Sequence, residues 1–473
     1  MLGAAGLLTL VTLSGLVAGL CREWLLVASW GAGARTDGFL IALFIPEALR
    51  MILAGGLLSS AGMALWQARS EPERRVWLGQ LSFGLLALGL LLSLAFSAGA
   101  PLWVHLIGPG LAEAVRPATE GALRTMAWGL PALILQAFWS VPLQVQGRFL
   151  LAGLASLSYN LPPVLWMAWH RAATTEAELA WAFVLGALAS AALMLPAVRR
   201  QGLAWRTLRW HGEAMRELGQ RVAPLLGSAL TGQGLTLLER VVASWLGEGA
   251  VTVLNLARKL ANLPLVALMA VNQVLLGMMA KGHEGERLPL LRQGLALNTL
   301  ITTPAAVGLL LSAQAIVVLL FPGVHGTTLL GPLLGWYAVA LVLAGWNTLL
   351  ARYNHAAGDT RLPFLCETAG NLLNALSLPL LAWWLGAQGI AIAVLLGVLL
   401  NGALLLHANH LWTRVRLPSL LLSGGLSLGL GALALPWWPA LPWPRLLAAT
   451  AAGAVCLGCL AITLRPWRPV PGP

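Results

Sequence analysis

Apolar stretches of about 20 residues, the length that spans a bilayer core at 1.5 Å per residue, recur along the whole chain, separated by short runs rich in Gly, Pro and charge. With those runs as punctuation, the pattern predicts fourteen helices, near residues 2–29, 36–67, 76–99, 119–143, 148–169, 177–198, 220–246, 250–280, 288–320, 327–351, 362–384, 387–408, 417–437 and 443–464. The fold class this implies is an all-α polytopic membrane protein. The first segment has no basic residues ahead of its apolar run, and Arg22 follows that run, so it reads as a retained helix rather than a cleaved signal.

Composition agrees with lipid as the main solvent. Of 473 residues, 58% are hydrophobic and only 10% charged, with a mean hydropathy of +0.80, too little polar surface for a water-soluble globule of this size. A net charge of +12 would suit nucleic acid, but the basic residues are scattered in ones to threes between apolar segments, without an aromatic-basic face. That distribution excludes a nucleic-acid partner and leaves membrane lipids as the surroundings. Cys21, Cys366, Cys456 and Cys459 lie in apolar segments without metal-ligand spacing, so they read as small packing residues.

Charge also orients the chain. Loops after even-numbered helices, with the C-terminal tail, hold nineteen Lys and Arg residues, whereas loops after odd-numbered helices hold only Arg35, Arg116, Arg171 and Arg445. The positive-inside rule then places both termini of this multi-pass chain in the cytoplasm. The longest basic linker follows the sixth helix. The predicted organisation is an N-lobe over 1–200 (helices one to six), a cytoplasmic basic linker over 201–219, a C-lobe over 220–410 (helices seven to twelve), and helices thirteen and fourteen with a cytoplasmic tail over 411–473. An internal echo supports two halves: Val27-Ala28-Ser29-Trp30 before Gly31-Ala32-Gly33, and Val242-Ala243-Ser244-Trp245 before Gly247-Glu248-Gly249. Six helices per half make these parallel repeats, and two six-helix lobes around a central cavity are the expected arrangement.

Six basic residues, Arg22, Arg50, Arg124, Arg240, Arg258 and Lys259, fall inside predicted helices, with Glu23, Asp37, Glu47 and Glu239 as the acids. Facing lipid, the six cations would cost about 15 to 20 kcal/mol, so they must face protein, water or headgroups. A surplus of guanidinium groups suits a substrate bearing phosphate or pyrophosphate, whose oxygens match the planar fork of donors. Glu47 and Arg50, three apart, can instead neutralise each other. Arg124, early in its helix, can snorkel to the outer interface. Arg22 is deep in its segment, with Glu23 expected to point away from it. Glu239 with Asn371 and Asn374 forms a candidate cation site for Na⁺ or H⁺ coupling; amides that knit helices together are the alternative reading. No phosphate-binding loop, nucleophile elbow or metalloprotease motif is present, no confident metal site and no cofactor is predicted, and a transporter rather than an enzyme is expected.

Gly19-Leu20-Cys21-Arg22-Glu23, Thr36-Asp37-Gly38-Phe39, Ile45-Pro46-Glu47-Ala48-Leu49-Arg50, Gly147-Arg148-Phe149, Tyr159-Asn160, Arg258-Lys259 and Gly358-Asp359-Thr360-Arg361 resemble the MurJ/MviN family of lipid II flippases, within the multidrug/oligosaccharidyl-lipid/polysaccharide exporter superfamily. The resemblance implies a V-shaped, monomeric, two-lobed transporter that moves lipid II, the undecaprenyl-pyrophosphate-linked peptidoglycan precursor, outward by alternating access. It further implies that Arg22, Arg50, Arg258 or Lys259, and Asp37 line the substrate cavity, and that helices thirteen and fourteen supply a groove for the polyprenyl tail. The chain departs from the family pattern at Leu16 and Met51, where basic residues are usual, and at Gly55, where a glutamate is usual. A flippase for another undecaprenyl-linked oligosaccharide, such as an O-antigen or exopolysaccharide unit, stays open, as does a drug or cation exporter, which would favour acidic rather than basic cavity residues.

Overall fold

Helices account for nearly all of the computed structural model, which describes residues 2–53, 58–281, 284–322, 328–415 and 417–465. Gly55, Arg416 and Arg468 lie outside the described residues. By contact the chain divides into two compact units, Met1–Val251 and Thr252–Pro473.

The first unit contains α1 (Leu2–Trp30), α2 (Ala34–Ile52), α3 (Leu58–Gln67), α4 (Glu71–Ala98), α5 (Ala100–Ile107), α6 (Arg116–Ala127), α7 (Leu130–Val145), α8 (Phe149–His170), α9 (Glu176–Arg200) and α10 (Gly212–Trp245). The second contains nearly all of α11 (Ala250–Lys281), then α12 (Glu284–Leu320), α13 (Leu330–Ala356), α14 (Arg361–Leu385), α15 (Ala387–Ala408), α16 (Leu417–Ala434) and α17 (Pro442–Leu464). Among the described residues, seven helical stretches are long and apolar enough to cross a membrane. The boundary between the units falls one helix later than the basic linker, so α10 packs with the first unit, against α2, α3, α4 and α5.

Local chemistry explains the element ends. Ser70 and Glu73 form a capping box at the start of α4, and Thr175 and Glu178 do the same for α9, each satisfying peptide N–H groups that the first turn leaves open. The single helix expected over 119–143 is broken at Trp128 and Gly129 into α6 and α7. Pro131 favours the break: it lacks an N–H and crowds the carbonyl four residues back, that of Ala127. Ser93 of α4 donates to that freed carbonyl at 2.7 Å, which keeps the break satisfied at membrane depth.

The linker expected over 201–219 ends earlier, because α10 begins at Gly212. Glu213 in its first turn suits the helix dipole, Ala214 and Leu218 are buried, and Arg69 pairs with Glu217. Hydropathy sees only the lipid-embedded part of such a helix, so a polar first turn like this one carries no signal that separates it from a loop.

Close backbone approach sets the packing around the site. A Cβ on Gly186 of α9 would lie 2.2 Å from the carbonyl oxygen of Tyr159 on α8, so only glycine lets these two helices meet where they do. The two echoed turns are neighbours: Gly31 and Gly247 both take positive φ, at 80° and 106°, and a Cβ on Gly249 would lie 2.6 Å from the carbonyl oxygen of Ala32.

Candidate functional site

Arg22 and Glu23 of α1, Glu47 and Arg50 of α2, Tyr159 and Asn160 of α8, and Phe183 of α9 converge inside the first unit. Arg22 is 3% exposed. Its Nη1 donates to Asn160 Oδ1 at 2.8 Å, and its Nη2 donates to Glu23 Oε1 at 2.6 Å and to Glu47 Oε2 at 3.1 Å. The guanidinium carbon sits 5.0 Å from the centre of the Phe183 ring. Asn160 Nδ2 donates to the Ser156 carbonyl one turn back at 2.9 Å, which turns the amide oxygen toward Arg22.

Arg50 Nη2 donates to the same Glu47 at 3.3 Å, and its Cζ lies 4.9 Å from the Tyr159 ring centre. The two arginines differ in access: the Arg50 side chain is 18% exposed against 3% for Arg22. Arg50 Nε is buried and makes no hydrogen bond.

Two sequence expectations are corrected by this geometry. Glu23 does not point away from Arg22; it makes the shortest of that residue's ion-pair contacts. Adjacent helix positions diverge by about 100° at the backbone, but both side chains are long, and a buried carboxylate costs too much without a partner. The cluster is also not a pure cation surplus, since Glu23 and Glu47 balance Arg22 and Arg50. Arg240 of α10, another cation predicted to lie inside the membrane, donates to the Leu40 carbonyl at 2.6 Å and lies 5.0 Å from the Phe44 ring centre.

Asp37 sits ten residues before Glu47, about 15 Å along α2, and is 2% exposed. Its Oδ2 accepts from the Gly249 peptide N–H at 2.6 Å, tying the start of α2 to the turn before α11. Arg124 is half exposed and paired with Glu120 one turn back. Arg258 and Lys259 stand on α11 in the second unit, both half-buried, Arg258 near Tyr337 of α13.

The candidate cation-site residues fall in different units: Glu239 on α10 of the first, Asn371 and Asn374 on α14 of the second. Asn374 packs where α14 crosses α15, since a Cβ on Gly397 would be 2.9 Å from its own. Among the described residues no three His, Cys, Asp or Glu side chains cluster as a metal site would need.

Asn160, Tyr159 and Phe183 complete the cluster and were not assigned there from sequence. The signal available was the Tyr159-Asn160 pair, a polar group in the middle of an apolar helix. Gly358-Asp359-Thr360-Arg361 proves structural: Gly358 takes φ of 84°, and Asp359 Oδ1 accepts from the Arg361 and Leu362 N–H groups that open α14.

The fold is that of multi-pass membrane transporters. A solved structure titled as a multidrug resistance MATE family transporter in its inward-facing conformation aligns with a TM-score of 0.68 at 16% identity, over 87% of this chain and 98% of that one. One titled lipid II flippase MurJ, inward closed conformation, aligns with a TM-score of 0.84 at 19% identity, over 98% and 99%. Sequence narrows the class to a family. The family model described as lipid II flippase MurJ matches residues 26–411. A probable lipid II flippase MurJ of Rhizobium meliloti is 30% identical over 85% of this chain and 79% of its own length, and the lipid II flippase MurJ of Burkholderia cenocepacia is 26% identical over 83% and 81%. The chain belongs to the MurJ family of lipid II flippases.

Proposed function

We propose that this chain carries lipid II from the cytoplasmic to the periplasmic leaflet of the bacterial inner membrane by alternating access, supplying peptidoglycan synthesis, and that it performs no covalent chemistry. Family membership supports the substrate. The observation that carries a site on this chain is Arg50: a partly accessible guanidinium near the end of α2, with a buried Nε that has no hydrogen-bond partner. An unmet buried donor costs about 1 to 3 kcal/mol, and a pyrophosphate oxygen would meet it while drawing on the positive charge. Arg22, locked behind Glu47, acts as the residue that holds Glu47 and so orients Arg50.

Fourteen spans with both termini in the cytoplasm follow from the hydropathy pattern and the charge asymmetry. Arg258 or Lys259 contributes the second unit's positive charge toward the headgroup. Asp37, held by a peptide N–H, serves the turn contact. Glu239 in the first unit and, separately, Asn371 with Asn374 in the second are the groups proposed for Na⁺ or H⁺ coupling, and the working unit is a monomer.

The test is complementation of a strain depleted of its own lipid II flippase, with the wild-type chain and Arg50→Ala at equal membrane levels. Rescue by the wild type and failure of the variant are expected. Failure of both proteins, each correctly inserted, would overturn lipid II as the substrate and favour another undecaprenyl-linked glycan.

A further inference from the structure

The side of the membrane poor in basic residues carries Arg35, Arg116, Arg171 and Arg445. Arg35 is committed to Glu176 and the Thr174 carbonyl, and Arg116 to the carbonyls of Leu111 and Pro109. Arg171 stands in the turn after α8. Arg445 differs, because it borders a crevice of about 840 Å³ formed by α12, α13, α16 and the start of α17 within the second unit. Val317, Phe321, Val339, Leu428 and Leu435 make the walls apolar, and Arg445 is the one charged group among the described lining residues. The volume falls in the usual range for small-molecule sites, about 300 to 1,000 Å³.

Three features bear on the occupant. Arg445 is half-buried and fixed: its Nε donates to the Leu311 carbonyl at 3.0 Å and its Nη1 to Gln314 Oε1 at 2.9 Å. These contacts use two of the five guanidinium donors and hold the plane of the group. Arg445 also ends the first turn of α17, where the helix dipole disfavours a cation, so a neighbouring anion would relieve it. Trp336, in the crevice wall, and the exposed Trp437 and Trp443 stand on the adjoining segments, and tryptophan gathers at the level of lipid headgroups. An apolar crevice with a single oriented arginine beside an aromatic belt matches an amphiphile with apolar chains and a phosphate.

We propose that this crevice holds an anionic glycerophospholipid of the outer leaflet, its phosphate on Arg445 and its acyl chains against α12, α13 and α16. The site lies outside the Arg22 and Arg50 cluster, and the proposal does not depend on which lipid the chain transports. Its test reads binding alone, so it can fail or succeed independently of complementation.

The purified full-length chain is titrated with phosphatidylglycerol and, separately, phosphatidylcholine of the same acyl chains, and bound lipid is counted by native mass spectrometry. One well-placed arginine should favour the anionic headgroup about fivefold. Arg445→Gln should abolish that preference, and Arg445→Lys should keep most of it. Gly331→Leu is the second variant: a Cβ there meets only the Gln314 backbone, at 3.9 Å, so the larger side chain fills crevice space and should reduce uptake of both lipids. Equal uptake of the two headgroups by the wild type, a preference untouched by Arg445→Gln, or uptake of both lipids untouched by Gly331→Leu would overturn the site. Displacement of phosphatidylglycerol by equimolar undecaprenyl phosphate would overturn the assignment in favour of a polyprenyl chain.

Discussion

Arg22 and Arg50 share Glu47 yet differ in what their loss should do. Removing Arg22 leaves the buried Glu23 and the half-buried Glu47 with one fewer cation, and breaking a buried pair from one side costs about 3 to 5 kcal/mol. Arg22→Ala should therefore show a lowered melting temperature and reduced membrane yield as well as lost transport. Pairing it with Glu23→Gln removes the stranded charge, so the double variant should recover much of the thermal stability while staying inactive in complementation. Arg50→Ala breaks a partly exposed contact at 3.3 Å, worth about 1 kcal/mol or less; near wild-type melting with lost complementation is the expected result. Normal complementation by Arg50→Ala at equal membrane levels would remove Arg50 from the site. At this scale the sequence made the intramembrane charges conspicuous but not their partners. Asn160 lies 138 positions from Arg22, and a contact at that separation leaves no trace in spacing.

Elements were legible where lipid dictates them and less so where helix meets helix. Each predicted segment overlaps a described helix, α15 to the residue, because a membrane-spanning helix must bury all its backbone polar groups over a fixed apolar length; α5 falls in an expected loop, and residues 54–57 within the segment expected over 36–67 lie outside the described residues. The departures have local causes. Pro131 breaks a helix that hydropathy reads as continuous, and Glu213 with Arg69–Glu217 extends α10 into a segment read as linker. Several other helices run through an internal proline without a break, as α2 does at Pro46, so proline alone does not decide; Ser93 bonding the freed Ala127 carbonyl is what makes this break stable. Ser93→Ala should then cost about 1 to 3 kcal/mol in thermal unfolding; no change would mean the carbonyl finds another donor. Gly186→Leu should be more damaging, because even a Cβ there would meet the Tyr159 carbonyl oxygen at 2.2 Å. Forcing α9 away from α8 would also displace Phe183 and Asn160 from Arg22, so reduced folding yield and lost complementation should appear together.

On the scale of the whole molecule, nineteen basic residues against four across alternate loops yield a testable topology. Cysteines introduced at Arg209 and Arg361 in a chain lacking its own four cysteines should resist a membrane-impermeant thiol reagent in intact cells, and a cysteine at Arg171 should react. Reversed labelling would invert the orientation and move the proposed phospholipid to the inner leaflet. Composition, hydropathy and charge thus determined on their own that the chain lives in lipid, where its helices lie and which way they are expected to run, because transfer into a bilayer is a sum over local segments. Tertiary structure decided the rest: α10 belongs with the first compact unit, Glu23 turns back to Arg22, Asp37 serves a peptide N–H, and Arg445 borders an apolar crevice. Each of these depends on groups brought together from separate helices, and in a medium that cannot solvate a lone charge it is the neighbour, not the residue, that sets what the charge can do.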